Sequence, residues 1–199
     1  MDKRDFRFVT LIGFLVGILV LPIGKNLGFQ ISFVSASASI IGFTILAPIA
    51  LWLLYFLSEF WKVLAQFGRY AAVGTLNVSL DLSVLNLLIY LTDAAGGIYF
   101  SVFKSVSFLV ATTNSYFWNK FWTFQSQTPI DIKEYARFAA FTFIGLLINV
   151  TAASLINNFL GPVVALDPRL WANIAALLAV AVSFLWNFLS YRHLVFRKD

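Results

Sequence analysis

Ser115–Gln125 reads SYFWNKFWTFQ, and Asn187–Arg197 reads NFLSYRHLVFR. Each closes a long apolar run with a basic residue set among aromatic rings. Sliding the chain by 72 residues lays Asn119–Phe124 over Tyr191–Phe196, and a shift of 68 lays QFGRYAAV, Gln66–Val73, over EYARFAAF, Glu134–Phe141. The same shift of 68 sets Asp81 over Asn149. The repeated unit is therefore a helix pair: an entry with Arg, an aromatic and two Ala, a mid-helix polar residue, and a basic aromatic ending. A unit of two spans starts and finishes on one side, so the two copies are expected to be parallel, related by an axis along the membrane normal.

Composition sets the class. The chain has 199 residues, 60% of them hydrophobic and only 12% charged, where a water-soluble domain carries roughly a quarter charged residues. With a mean hydropathy of +0.86, it reads as an all-α integral membrane protein. A spanning helix needs about 20 apolar residues. Six stretches qualify: Phe8–Ile23, Phe29–Leu57, Phe67–Leu91, Ile98–Trp118, Tyr135–Leu160 and Arg169–Tyr191, with Pro48 expected to kink the second. The first is flanked by Lys3, Arg4 and Arg7 like a secretory leader, but the small-residue run SASA, Ser35–Ala38, lies too far beyond it, so the segment is expected to stay. The organisation expected is an N-terminal pair of transmembrane helices over residues 1–62, followed by a four-helix domain over 63–199, with repeat 1 at 67–125 and repeat 2 at 135–197. Gly13 and Gly17 add a small-residue face of the G-x-x-x-G kind to the first helix, which ordinary helix packing also explains.

Charge placement sets orientation. With both termini in the cytoplasm, eleven of the 14 Lys and Arg residues fall in inner segments and two, Lys25 and Arg169, in outer loops, with Lys104 inside a span. That bias fits a multi-pass protein of the cell membrane with both ends inside. A net charge of +5 would suit nucleic acid, yet the basic residues sit at segment ends rather than in one soluble patch, so no nucleic acid is expected. The chain has no Cys and one His, which removes disulfides, thiol catalysis and most metal sites. No phosphate-binding loop of the G-x-x-x-x-G-K-[ST] type appears, and no nucleophile or carboxylate constellation stands out. Neither an enzyme nor a cofactor or metal is expected.

From Phe67 to Phe196 the chain resembles the GtrA-like family of four-helix membrane proteins, found beside or fused to polyprenyl-phosphate glycosyltransferases. RYAAVGTLNVSLD, Arg69–Asp81, and the two endings carry the likeness. The endings resemble the family's Asn-Phe-x-x-Asn-Arg-x-Trp-x-Phe signature. The first keeps Asn119, Trp122 and Phe124, with Ser115 and Lys120 as departures; the second keeps Asn187, Phe188, Arg192 and Phe196, with Tyr191 and Leu194 as departures. The resemblance implies translocation of a sugar carried on a polyprenyl phosphate such as undecaprenyl phosphate, from the cytoplasmic to the outer leaflet, for cell-surface glycan modification. The alternative it leaves is a non-transporting anchor or assembly partner of a membrane glycosyltransferase. A third class, a proton-coupled drug exporter, is disfavoured because Asp81 has Lys104 at hand and inverted symmetry is missing.

An anionic headgroup cannot cross bare hydrocarbon, since a charged side chain at midplane costs roughly 2.5–3.5 kcal/mol even on the lenient insertion scale. A polar groove is required. Asp81 and Lys104 fall at similar depth if their helices pack antiparallel, either as an ion pair that fixes helix register or with Lys104 as a phosphate contact on the path. Asn77, Asn114, Asn149 and Asn173 can hydrogen-bond sugar hydroxyls, or bind helix to helix. Arg69 and Arg137 open the two hairpins, and Lys120 and Arg192 close them. Such cations are ordinary at an inner interface, and they also suit capture of a lipid phosphate among membrane lipids. Four to six helices are thin for enclosing a sugar, which suggests a homodimer.

Overall fold

The computed structural model describes residues 1–26, 28–93, 97–160 and 168–196. Six α-helices follow in order among them: α1 Lys3–Asn26, α2 Phe33–Leu57, α3 Val63–Thr92, α4 Gly97–Trp118, α5 Ile132–Leu155 and α6 Pro168–Ser190. Five of these are long and apolar enough to cross a membrane; α4 is not among the five. At 22 residues α4 has the length, about 33 Å. Its apolar character is diluted by Lys104, Ser101, Ser105, Ser107, Thr112, Thr113 and Asn114.

Local chemistry sets the helix ends. Ser32 caps α2, its hydroxyl taking the Ser35 amide at 3.1 Å while Ser35 Oγ accepts the Ser32 amide at 2.9 Å, a reciprocal box that satisfies two otherwise orphaned donors. Asp131 caps α5 by accepting from the Lys133 amide at 3.1 Å. Pro48 is buried inside α2, which runs on from Phe33 to Leu57. Both endings singled out by the sequence leave the α-helix in the same way. Asn119–Thr123 and Tyr191–Val195 are wound as π-helix, each closed by a bond five residues long: Phe124 N to Asn119 O and Phe196 N to Tyr191 O, both 2.8 Å. Wider turns of this kind recur at functional positions.

The chain divides into two compact units, Met1–Gln125 and Ser126–Asp199. In the first, α1 packs on α2 and α3, α2 also touches α3, and α3 pairs with α4. Val9, Ile12 and Val16 form one stripe of α1 and pack with Leu51, Val73, Leu76 and Trp122. The spacing is the i, i+3, i+7 pattern of a helix face. In the second unit α5 pairs with α6, and Phe138, Phe188, Tyr191 and Phe196 are buried, with the Phe138 and Tyr191 rings 4.4 Å apart.

Close approach of α1 to α2 depends on the two glycines noted in the sequence. A Cβ at Gly13 would overlap the Phe43 carbonyl oxygen, and one at Gly17 would lie 2.6 Å from Ile40 Cα. Ser39 Oγ donates to the Gly17 carbonyl at 3.0 Å across the same crossing. Backbones can approach this closely only where side chains are absent. Gly13→Ala and Gly17→Ala are therefore expected to destabilise the protein in detergent by about 1–3 kcal/mol, the usual range for overpacking. Gly42→Ala, whose Cβ would meet nothing within 4 Å, should leave thermal unfolding unchanged or slightly raised.

Candidate functional site

In the first unit the polar residues of α3 and α4 meet along one seam. Asp81 forms an ion pair with Lys104 through Oδ2 and accepts a 2.6 Å bond from Ser107 Oγ through Oδ1. Ser107 is fully buried, whereas the Asp81 and Lys104 side chains keep 21% and 44% of their exposure. A carboxylate held by an ammonium and a hydroxyl is satisfied where water is scarce. One turn before Asp81 on α3 and about two turns beyond Ser107 on α4, Asn114 Nδ2 donates to Asn77 Oδ1 at 2.8 Å, and Asn77 Nδ2 donates to the Val73 carbonyl at the same distance. The antiparallel approach expected from the sequence is thus present, and it aligns Asp81, Lys104, Asn77 and Asn114. In the second unit Asn149 Nδ2 donates to Ser183 Oγ at 3.2 Å. The side chain of Asn173 lies outside the described residues.

The four cations of the entries and endings are not equivalent. Lys120 is 0% exposed, with Nζ 5.9 Å from the centre of the Tyr116 ring, rather than at an open headgroup level. Arg69 keeps 14% of its side-chain exposure and points Nη1 at Asp5 Oδ1, 3.6 Å away. Arg192 is half-buried and Arg137 exposed. Asn119 is buried in the first π turn, its Nδ2 donating to the Ser115 carbonyl at 2.9 Å. Asn187 sets its amide against the backbone of Gly145, where a Cβ would overlap it.

Asp5 is the residue that the sequence did not announce. It is 3% exposed, and beside Arg69 it accepts from Trp122 Nε1 at 2.7 Å and from the Tyr55 hydroxyl. One carboxylate therefore joins α1, the end of α2, the start of α3 and the first π turn. Arg4 adds a 2.7 Å bond from Nη2 to the Phe121 carbonyl, and the Phe8 ring stands edge-on to Trp118 and Trp122 at 5.5 and 5.8 Å. Trp122 and Phe124 are buried in this cluster. The only advance signal was an acid in the first turn of an apolar helix. Nothing in the sequence names a partner 117 positions away.

At the corresponding end of the second unit, a cleft of about 570 Å³ is lined by Thr128, Pro129, Asp131, Glu134, Arg137, His193, Leu194 and Val195. Arg137 Nη1 donates to the Leu194 carbonyl at 3.3 Å, Thr128 Oγ1 donates to Glu134 Oε2 at 3.0 Å, and Asp131 is engaged as the cap of α5. Guanidinium, imidazole and carboxylates on one open wall supply donors for a phosphate and acceptors for hydroxyl groups. Phe196 lies beneath, against Phe138 at 5.9 Å.

Long apolar helices, paired polar groups within them and basic aromatic ends define a multi-pass α-helical membrane protein. Residues 69–196 match the family model described as GtrA/DPMS, transmembrane domain, and the chain belongs to that family. No curated protein matches the chain, and no solved structure does. The family places the protein in polyprenyl-phosphate sugar metabolism at the membrane. Helices α1 and α2 lie outside the matched residues.

The Asp81–Lys104 pair yields a test by a mutant cycle. Lys104→Met leaves a carboxylate without its cation and is expected to lower stability in detergent by about 2 kcal/mol, below the 3–5 kcal/mol of a fully buried pair because both groups keep some exposure. Asp81→Asn combined with Lys104→Met should recover most of that loss. With Asp81→Asn alone as the fourth corner of the cycle, a double variant whose loss equals the sum of the two single losses would show that the pair is not coupled.

Proposed function

We propose that the protein is a carrier, not an enzyme, that moves a polyprenyl-phosphate-linked sugar from the cytoplasmic to the outer leaflet of the cell membrane, for use in cell-surface glycan modification. Both termini lie in the cytoplasm on this reading, α4 crosses the bilayer with the other five helices, and α3–α4 and α5–α6 are copies of one hairpin. The observation that carries the reading is Arg137 at the wall of an open polar cleft, in a chain whose family serves polyprenyl-phosphate sugars. The guanidinium suits a phosphate oxygen, and the neighbouring Glu134 and His193 suit sugar hydroxyls. Inside the membrane, Lys104 offers a cation that keeps 44% of its exposure, and Asn77 and Asn114 offer neutral hydrogen-bonding groups along the same seam.

A charged headgroup crosses only if each stage of its path replaces part of its hydration. Capture at Arg137 precedes transfer in this scheme, and in the first unit Lys104 is a further phosphate contact that Asp81 holds in place. Synthesis of the lipid on one face and consumption on the other supply the gradient. The working form is a homodimer, because four family helices enclose little space for a sugar.

Reconstitution tests the scheme. Vesicles containing the protein and a short-chain polyprenyl-phosphate sugar are expected to expose the sugar to an impermeant oxidant faster than protein-free vesicles. Arg137→Gln and Lys104→Ala should each slow that exposure by about tenfold or more, the equivalent of one lost charge-assisted bond. Absence of any acceleration by the parent protein would end the transport reading and leave that of an anchor or assembly partner for a glycosyltransferase.

A further inference from the structure

Arg69 and Arg137 hold corresponding places in the two hairpins, 68 residues apart, and each lies beside the fourth residue of a π turn. Arg137 reaches Leu194 of Tyr191–Val195 directly. Arg69 meets Trp122 of Asn119–Thr123 through a shared partner, the Asp5 carboxylate. Their surroundings differ in one respect. Arg69 is ion-paired with Asp5, whereas Arg137 donates to a backbone carbonyl and lines an open cleft whose carboxylates, Asp131 and Glu134, accept from the Lys133 amide and from Thr128.

The donors around Asp5 are those that an oxyanion would recruit: an arginine, an indole N–H and a phenolic hydroxyl, converging on one buried carboxylate. Asp5 is also fixed in place. Its own amide is held by Asp2 Oδ1 at 2.7 Å, and the helix that carries it is packed on α2 and α3 through Val9, Ile12 and Val16. A tethered anion of this kind competes with a free one at very high effective concentration.

We propose that Asp5 is a resident anion that closes the anion slot of the first hairpin, so that the two copies are functionally unequal and only the second, at Arg137, takes a phosphate-bearing headgroup. The inference rests on the headgroup-capture reading above and assigns α1 and α2, which lie outside the family match, the task of closing one copy. It requires no movement of either unit.

Equilibrium binding of farnesyl phosphate to the full chain in detergent micelles tests it, with inorganic phosphate as a second probe. The parent is expected to bind one farnesyl phosphate per chain, and Arg137→Gln to weaken that site at least about tenfold. Asp5→Ala, which removes both the charge and the atoms that fill the slot, should add a second site, and Asp5→Ala with Arg69→Gln should return the count to one at parental affinity. The same pattern with inorganic phosphate supports the inference and identifies phosphate, rather than the tail, as the recognised group. Should Asp5→Ala fail to fold, Arg137→Gln decides alone: loss of the site with none remaining supports the inference, and a remaining site of parental affinity that the further change Arg69→Gln removes overturns it. A folded Asp5→Ala protein with an unchanged count, or four forms that bind neither probe, also overturns it. Vesicle flipping is scored separately, so the expected binding pattern without transport would sink the proposed function and leave this inference standing.

Discussion

A carboxylate shut away from water among apolar helices has to be met by donors, because its desolvation costs several kcal/mol that only close partners offset. Asp5 meets that demand with three side chains from three other parts of the fold: Tyr55, Arg69 and Trp122. The requirement fixes more than the carboxylate itself. It sets the depth of α1 against α3, brings the end of α2 to the same level, and holds the first π turn with its indole inward. The Gly13 and Gly17 crossing then lets α1 lie close against α2, and the apolar stripe of Val9, Ile12 and Val16 completes the packing.

The same logic, applied at mid-helix, explains how α4 can carry so many polar groups. A helix with Lys104, Ser107 and Asn114 suits a membrane only if those groups face partners, and Asp81 and Asn77 of α3 supply them. Pairing removes most of the cost of placing charge there. It also leaves Lys104 partly exposed, with an ammonium that can act on something beyond Asp81. One arrangement thus serves helix register and, on the transport proposed above, offers a cation to the headgroup, and the two roles do not compete.

Much of this was legible in the sequence. Apolar runs and basic flanks marked the helices to within a few residues, and the two endings marked the places where the chain leaves the α-helix, because like sequences closed the same five-residue bond. Similar depth in antiparallel helices allowed Asp81 to pair with Lys104, and the structure has that pair. The surroundings of the cations did not follow. Lys120 and Arg192 share a motif position, yet one is wholly buried and the other half-buried. Arg69 and Arg137 share an entry motif, yet one is enclosed by Asp5 and the other lines a cleft. Periodicity and motif spacing report what a segment does along its own axis. They carry no information on a partner contributed by an element outside the matched family region, and α1 is such an element.

Like motifs have thus been given unlike environments, one sealed and one open. The chain contains no cysteine, so the single-cysteine variants Arg69→Cys and Arg137→Cys can be compared directly in detergent micelles with a water-soluble maleimide. The thiol of Arg137→Cys is expected to react at least about tenfold faster than that of Arg69→Cys, because a sealed site reacts only through local opening. Equal rates in the two variants, in proteins that unfold at the parental temperature, would contradict the account.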